Sequence, residues 1–443
     1  MASSSTICEF EDIFKRYDSK NKFCMEGELD ISNEDSKLFY ETKTGQSDVL
    51  NIWNYDTEQI NKLFLACEES GFGHKRELVF DENVRIAKQL SSDRFSFQFN
   101  PESKPEIKYS VKQLLNGKQF TLKPYKLNIY QKGGFFLTHK DTIKDKNMIA
   151  SLVLCLPSTF SGGILKVSNK RGIDVDIDWS SKSKEKKIQW ACFFTDCDHS
   201  ISEVTEGNRI TIVYNVIISN IKKNKKYGKL SIESLKRGLE EELVRYINKI
   251  QLKPEFNKKL FAYHPFHFYG FNIVKNTPDD LITVLKGDDQ IFCKVLKDTG
   301  FKFDMYVYYD DIEQYGHIIS IINELNEDEI LCDSISEEER DMLHPIEELQ
   351  FVNSPVVGGK KFDEVTKYSY EFGCTGNAPA SDVENVYASL ILVFSKKETI
   401  PLKHVSKENY CELENISDKS DNFDENQDSK SPTAQKFKKR RNI

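Results

Sequence analysis

No stretch of 18 consecutive apolar residues occurs in this chain, so nothing in it reads as a membrane-spanning helix. Its start, MASSSTICEFEDIFKRYD, lacks the basic flank and apolar centre of a secretory signal. The ten cysteines, at 8, 24, 67, 155, 192, 197, 293, 332, 374 and 411, include no C-x-x-C pair and are sparse for a disulfide scaffold. These absences predict an intracellular protein, cytoplasmic or nuclear, with reduced packing thiols and no membrane partner. A surplus of positive charge is missing as well: 62 Lys+Arg against 70 Asp+Glu leave −8. That balance gives no reason to expect a nucleic-acid partner, the basic tail excepted. There is no G-x-x-x-x-G-K-[ST] loop, no strand–G-x-G-x-x-G–helix unit, no G-x-S-x-G elbow, no H-E-x-x-H helix and no internal repeat. The glycine pairs Gly133–Gly134 and Gly162–Gly163 therefore read as turn residues and not as a phosphate cradle.

What is present is globular: 39% hydrophobic and 12% aromatic residues over 443 positions, enough for two to three domains. Residues 1–85 read as a mixed, mostly helical flank, with Ile60, Leu63, Phe64 and Cys67 at helical spacing. Residues 86–220 turn strand-rich. Eight short runs, 126–130, 135–139, 150–156, 163–168, 174–179, 188–195, 200–206 and 209–216, are separated by turn chemistry such as QKGG, LPSTFSGG, NKRG and TEGN. The pattern suits a jelly roll. Residues 221–402 open on an amphipathic helix, with Leu235, Leu239, Leu243, Tyr246 and Ile250 on one stripe, and continue as a mixed domain. The fold class is thus α+β, a jelly-roll core with flanking helices and a second C-terminal domain. Residues 403–443 form a polar tail expected to be disordered, with eight acids at 408–428 and six basic residues at 430–441. Its KKRR at 438–441 also fits a nuclear import signal.

Two residues carry the chemistry first. His139 and Asp141, in FFLTHKD, stand at positions i and i+2 of an extended run and so face the same way. Alone the pattern means little, because 8 His and 70 acids in 443 residues give about one H-x-[DE] match by chance. Its surroundings raise it. His199 follows sixty residues later in CFFTDCDHSISEV, and Arg209 opens RITIVYNV ten residues beyond that. Two His and one carboxylate leave three positions of an iron(II) open, and an arginine fork suits a carboxylate. Thr211, on the same strand face as Arg209, adds a hydroxyl donor. The other histidine pair, His264 and His267 in FAYHPFHFYG, has no third ligand nearby and reads as aromatic packing.

The stretch YKLNIYQKGGFFLTHKDT…MIASLVLCLPSTFSGGILKV…IQWACFFTDCDHSISEVTEGNRITIVYNV resembles the iron(II)- and 2-oxoglutarate-dependent dioxygenases of the prolyl 4-hydroxylase type, over roughly residues 121–220. GFGHKRELVFDENVRIAKQL and YEFGCTGNAPASDVENVYASLILVF look like flanks of larger fungal and protist members. The resemblance implies a double-stranded β-helix in which His139, Asp141 and His199 hold iron(II) and Arg209 binds the distal carboxylate of 2-oxoglutarate. It implies further that Tyr130 hydrogen-bonds the cosubstrate, that O2 is consumed, and that ascorbate serves as reductant. Collagen-type relatives usually present Lys where this chain has Arg209, which points to other, intracellular substrates. The expected activity is hydroxylation of a protein or peptide side chain, prolyl first, with release of succinate and CO2. The competing expectation is a catalytically weak or inactive jelly-roll scaffold that acts through its C-terminal domain and basic tail.

Overall fold

Alternating and apolar runs dominate the first half of the chain, and most of them pair into two large antiparallel sheets. The computed structural model describes residues 23–218 except 75–76, 143–144 and 146. It also describes residues 10, 12–17, 234–251, 260–267, 269 and 276–311, and the short strands beyond. The expectations for the tail 403–443, its KKRR included, lie outside the described residues.

The elements that build the site are β1 (Cys24–Asp30), α1 (Thr57–Ala66), β2 (Glu68–Glu69), β3 (Arg85–Ile86) and β4 (Lys88–Ser91). They continue with β5 (Phe120–Gln131), β6 (Phe135–His139), β7 (Met148–Cys155), β8 (Phe160–Gly162), β9 (Leu165–Ser168) and β10 (Asp174–Ile177). Then come β11 (Lys187–Phe194), β12 (Asp198–Ile201) and β13 (Val204–Ile218). The larger sheet runs β1-β11-β7-β13-β5-β4-β2, with β8 on β13, and the smaller runs β10-β9-β12-β6-β3. Every pairing in these two sheets is antiparallel. Consecutive strands mostly switch sheet, which makes the core a jelly roll. The central strands β7 (MIASLVLC) and β11 (KIQWACFF) are buried along nearly their whole length, as strands covered on both faces must be.

Two departures from the expected strands have local causes. The run at 163–168 begins only at Leu165, because Gly162 and Gly163 adopt φ of 73° and 62° and end β8. The run at 200–206 divides at Ser202–Glu203, where Ser202 Oγ accepts the Ile164 N–H and the Glu203 carbonyl accepts the Gly163 N–H. The flank before residue 85 is helical at residues 10 and 12–16 and at Thr57–Ala66, the latter helix closed by an Asp56–Gln59 capping box, while strands build most of the described chain between and after them. The reason is alternation: KLFYE reads exposed–buried–exposed–buried–exposed and pairs with Ser47–Asn51 in a hairpin.

A second core gathers α2 (Ser234–Gln251), β14 (Leu260–Tyr263), α3 (Gly287–Asp298), β15 (Lys302–Asp311) and β16 (Ala388–Ser395). Leu239, Leu243, Tyr246 and Ile250 are buried there, as the stripe on α2 requires. Phe10, Ile13 and Phe14 from the start of the chain pack into the same cluster. Among the described residues no helix is long and apolar enough to cross a membrane. The described cysteines Cys24, Cys67, Cys155, Cys192, Cys197 and Cys293 are buried and form no disulfide with one another, and burial pushes the Cys67 and Cys155 thiols up to about 12.

Candidate metal centre

The smaller sheet brings together what the sequence separates by sixty residues. His139 ends β6, His199 lies in β12, and the two are direct partners across the antiparallel pair, their rings 4.1 Å apart. Asp141 follows β6, and its Oδ1 stands 3.6 Å from His199 Nε2. One donor atom from each of the three residues lies within 4.8 Å of the others, and among the described residues no other such group occurs.

Each ring is oriented by its own backbone. His139 Nδ1–H donates to the Leu137 carbonyl at 2.8 Å, and His199 Nδ1–H donates to the Cys197 carbonyl at 3.2 Å. Both Nε2 lone pairs are thereby left free for a metal, the arrangement in which the outer hydrogen bond sets the tautomer. Phe136 stacks on the His139 ring at 3.5 Å. Burial, and then the neighbouring His199, push His139 well below the ordinary histidine pKa, which keeps the ring neutral. Ser151 Oγ donates to Asp141 Oδ2 at 2.6 Å, so the carboxylate is held by one oxygen and presents the other.

Arg209 lies in β13 opposite Tyr130 of β5. It is fully buried, and none of its three guanidinium nitrogens has a hydrogen-bond partner among the described residues. Aromatic rings flank it: the Arg209 Cζ stands 5.2 Å from Trp179 and 5.6 Å from Tyr130. Burial lowers its pKa, yet a guanidinium starts high enough to keep its charge. A charged group without partners in a dry interior costs several kcal/mol, so this one demands an anion. Gly163 makes the space, since a Cβ there would lie 2.7 Å from Arg209 Cδ. Thr211 is buried two residues along β13, opposite Asn128 of β5 and Cys155 of β7.

Tyr130 joins Arg209 to the triad through Arg85 in β3. Arg85 donates to the Tyr130 hydroxyl at 3.3 Å, to Asn128 Oδ1 at 3.0 Å and to the Gly71 carbonyl at 3.0 Å. Its guanidinium lies 4.3 Å over the Phe136 ring, which in turn stacks on His139. Arg209, Tyr130, Arg85, Phe136 and His139 thus form one continuous line of contacts.

Sequence reasoning missed Arg85, Ser151, Trp179 and Phe136 as parts of the site, and it read Gly163 only as a turn. Ser151 had a signal, a lone hydroxyl in the apolar run MIASLVLC. Arg85 had none, because it precedes His139 by more than fifty residues with no local pattern between them. The pair His264 and His267 is buried or nearly so and takes no part in a metal cluster. His267 instead bonds Asp196, at 3.0 Å.

A jelly roll whose sheet carries His-x-Asp and a distal His, with a buried arginine behind them, defines a class, and comparison with known families agrees. Residues 125–217 match the 2OG-Fe(II) oxygenase superfamily model, so the chain carries a domain of that superfamily over about a fifth of its 443 residues. Among solved structures it is similar to a 2OG-Fe(II) oxygenase family oxidoreductase from Burkholderia pseudomallei. The identity there is 13%, over 39% of this chain and 84% of that one, with TM-score 0.26. A prolyl-4-hydroxylase from Pseudomonas putida matches at 16% identity over 32% and 78%, with TM-score 0.23. A Trichoplax adhaerens prolyl hydroxylase, solved with a peptide fragment of the hypoxia inducible factor oxygen degradation domain, matches at 13% over 48% and 91%, with TM-score 0.26. No curated protein matches the chain in sequence.

The residues present fit the groups for which the superfamily is named. Two imidazoles and a carboxylate are a suitable donor set for iron(II), and the orphaned Arg209 guanidinium is suited to one end of a dicarboxylate.

Proposed function

We propose that the chain is an iron(II)- and 2-oxoglutarate-dependent dioxygenase that hydroxylates a protein or peptide side chain, prolyl first among the candidates. The observation that carries the reading is the fully buried Arg209, without a hydrogen-bond partner among the described residues and joined by continuous contacts to the His139–Asp141–His199 cluster. A structural metal cluster would have no use for a second, uncompensated cation beside it. A 2-oxoglutarate site requires both.

In this reading His139 Nε2, Asp141 Oδ1 and His199 Nε2 hold the metal. Iron(II), when bound, supplies the redox chemistry that couples O2 and the oxidative decarboxylation of 2-oxoglutarate to oxygen insertion into a C–H bond, leaving succinate and CO2. Ser151 holds Asp141 in the orientation that offers Oδ1. Arg209 would hold the distal carboxylate with its charged fork. Arg85 donates to the Tyr130 oxygen, which leaves the Tyr130 proton free to be donated to the cosubstrate. Phe136, Trp179 and Phe193 line the surroundings with apolar surface that excludes water. Thr211 adds a hydroxyl to the same pocket.

The preference for a prolyl substrate, the placing of the chain among large fungal- and protist-type members, and ascorbate as reductant rest on the sequence resemblance. The division into a flank 1–85, a dioxygenase domain 86–220, a C-terminal domain 221–402 and a tail 403–443 is part of the same proposal, as is work inside the cell. The test is succinate formation by the purified protein with iron(II), ascorbate, O2 and 2-oxoglutarate, coupled to a +16 Da change on peptides captured by the His139→Ala variant. Protein that binds neither iron(II) nor 2-oxoglutarate overturns the reading. Binding without any turnover moves it to the scaffold alternative.

A further inference from the structure

The C-terminal region reaches into the jelly roll at the turn Thr195–Cys197, which leads from β11 into the strand that carries His199. Asp196, at the centre of that turn, has a side chain only 8% exposed. Its Oδ1 accepts Lys286 Nζ at 2.7 Å and its Oδ2 accepts His267 Nδ1–H at 3.0 Å. Burial alone would push the Asp196 carboxyl up, but Lys286 and His267 together hold it below the usual carboxylate range.

Both partners are themselves fixed. Asp289 accepts the backbone N–H groups of Phe266 and His267, at 2.7 and 3.0 Å, and the hydroxyls of Tyr263 and Tyr269, at 2.7 and 2.8 Å. The Tyr269 hydroxyl oxygen accepts the Lys286 N–H at 2.8 Å. Gly287 lets His267 approach, since a Cβ there would lie 2.6 Å from its Nε2. The His267 ring meets Phe194 edge-on at 4.7 Å. The same loop also grips the β9–β10 turn. Lys170 Nζ donates to the Pro265 carbonyl at 3.0 Å, and Arg171 lies 3.3 Å over the Phe266 ring. Strand β9 is paired with β12, and Val167 stands opposite His199. The loop that carries His267 therefore braces the His199 strand from its preceding turn and from its neighbour.

The geometry points to Asp196, His267 and Lys286 as positioning residues for the metal centre. They pin the 195–197 turn, and the Cys197 carbonyl within that turn accepts the hydrogen bond that aims His199 Nε2 at Asp141. The inference rests on the metal-site reading above and extends it. The ligand set lies within residues 139–199, but its alignment is imposed by residues of the C-terminal region. Outer partners of this kind typically set metal affinity within a factor of 10 to 100.

The test is titration of the full-length, metal-free chain with cobalt(II), read from its visible absorption band. Lys286→Met and Asp196→Asn are expected to weaken cobalt(II) binding about 10- to 100-fold and to alter the band, with circular dichroism unchanged. Lys286→Arg should restore most of the affinity. Lys297→Met, on the helix that Lys286 precedes but in an exposed ion pair with Asp279, should change nothing. Folded Lys286→Met and Asp196→Asn proteins with wild-type affinity and band would overturn the inference and reduce the cluster to a structural tie. If Lys286→Met does not fold, Asp196→Asn decides by the same criterion. A wild-type chain with no His139-dependent band removes the metal-site reading itself, which is a different and separately visible result.

Discussion

Two buried clusters in this molecule use nearly the same residue types to opposite ends. At the junction with the C-terminal region, Asp196, His267 and Lys286 satisfy one another, with a cation, an imidazole and a carboxylate within 3.0 Å contacts. In the candidate metal centre, the two imidazoles present open nitrogens, Asp141 presents an open oxygen, and Arg209 has no hydrogen-bond partner among the described residues. A buried ion cluster that closes on itself is structure. One left open, at the cost of unpaired charge, marks where ligands belong.

Substitution at the open cluster should therefore damage function far more than stability. His139→Ala or Asp141→Ala is expected to reduce succinate formation to background while the metal-free protein keeps its unfolding midpoint, read by urea titration. Equal destabilisation of both clusters would erase the contrast. Next in size, Lys286→Met leaves Asp196 buried without its cation and should cost about 3–5 kcal/mol of stability. Arg209→Met, by contrast, should leave the metal-free protein within about 1 kcal/mol of wild type, because it removes a charge that nothing balances. The same variant should weaken 2-oxoglutarate binding about 100-fold or more, as loss of a charged fork does. Calorimetric titration of the cosubstrate and urea midpoints measure the two arms.

A smaller effect follows from pH. Burial, with Lys170 nearby, pushes His264 down to about 3 from an ordinary 6.5. Between those values the unfolded chain binds the proton and the folded chain does not, so stability rises with pH through that window. It is complete above pH 6.5 and lost on acidification towards pH 3. Between pH 7.5 and pH 5 this one residue should account for about 2 kcal/mol, visible as a difference in urea midpoints that His264→Gln reduces. His139 shifts in the same direction in the metal-free protein. The smallest effect should come from Tyr130→Phe, which removes one neutral hydroxyl from the pocket. About a 3- to 10-fold rise in the 2-oxoglutarate KM with little change in kcat is expected, consistent with about 1 kcal/mol for one hydrogen bond.

The triad was legible in the chain because its pieces are local signals. His139 and Asp141 sit at i and i+2 on a strand, and His199 and Arg209 keep a ten-residue gap. The strand alternation that implied a jelly roll was equally readable, but it erred where Gly162–Gly163 and Ser202–Glu203 break the chain, at TEGN, which continues as strand within Val204–Ile218, and in the strands of the flank before residue 85. The amphipathic helix over 234–251 followed from its apolar stripe. Arg85, Phe136 and Trp179 were not readable as site residues, because their roles arise from stacking and hydrogen bonds between strands distant in sequence. His267 read correctly as aromatic packing but hid its second function. Its partner Asp196 lies 71 residues away, and no spacing rule connects a loop to a turn across two cores.

Residue order alone determined which side chains this protein could bring to a metal and which cation could meet a dicarboxylate. It also determined the absences, the missing apolar span and the missing cysteine pairs. Periodicity and short-range spacing carry that information, because strand geometry converts them directly into faces. The tertiary structure alone decided which buried charges are closed and which stay open. Arg85 and Arg209 are the same residue type on either side of Tyr130, yet one is bonded to Gly71, Asn128 and Tyr130 while the other has no hydrogen-bond partner among the described residues. That distinction depends on which strands pair and what fills the space between them, and pairing is a long-range property that composition and spacing do not encode.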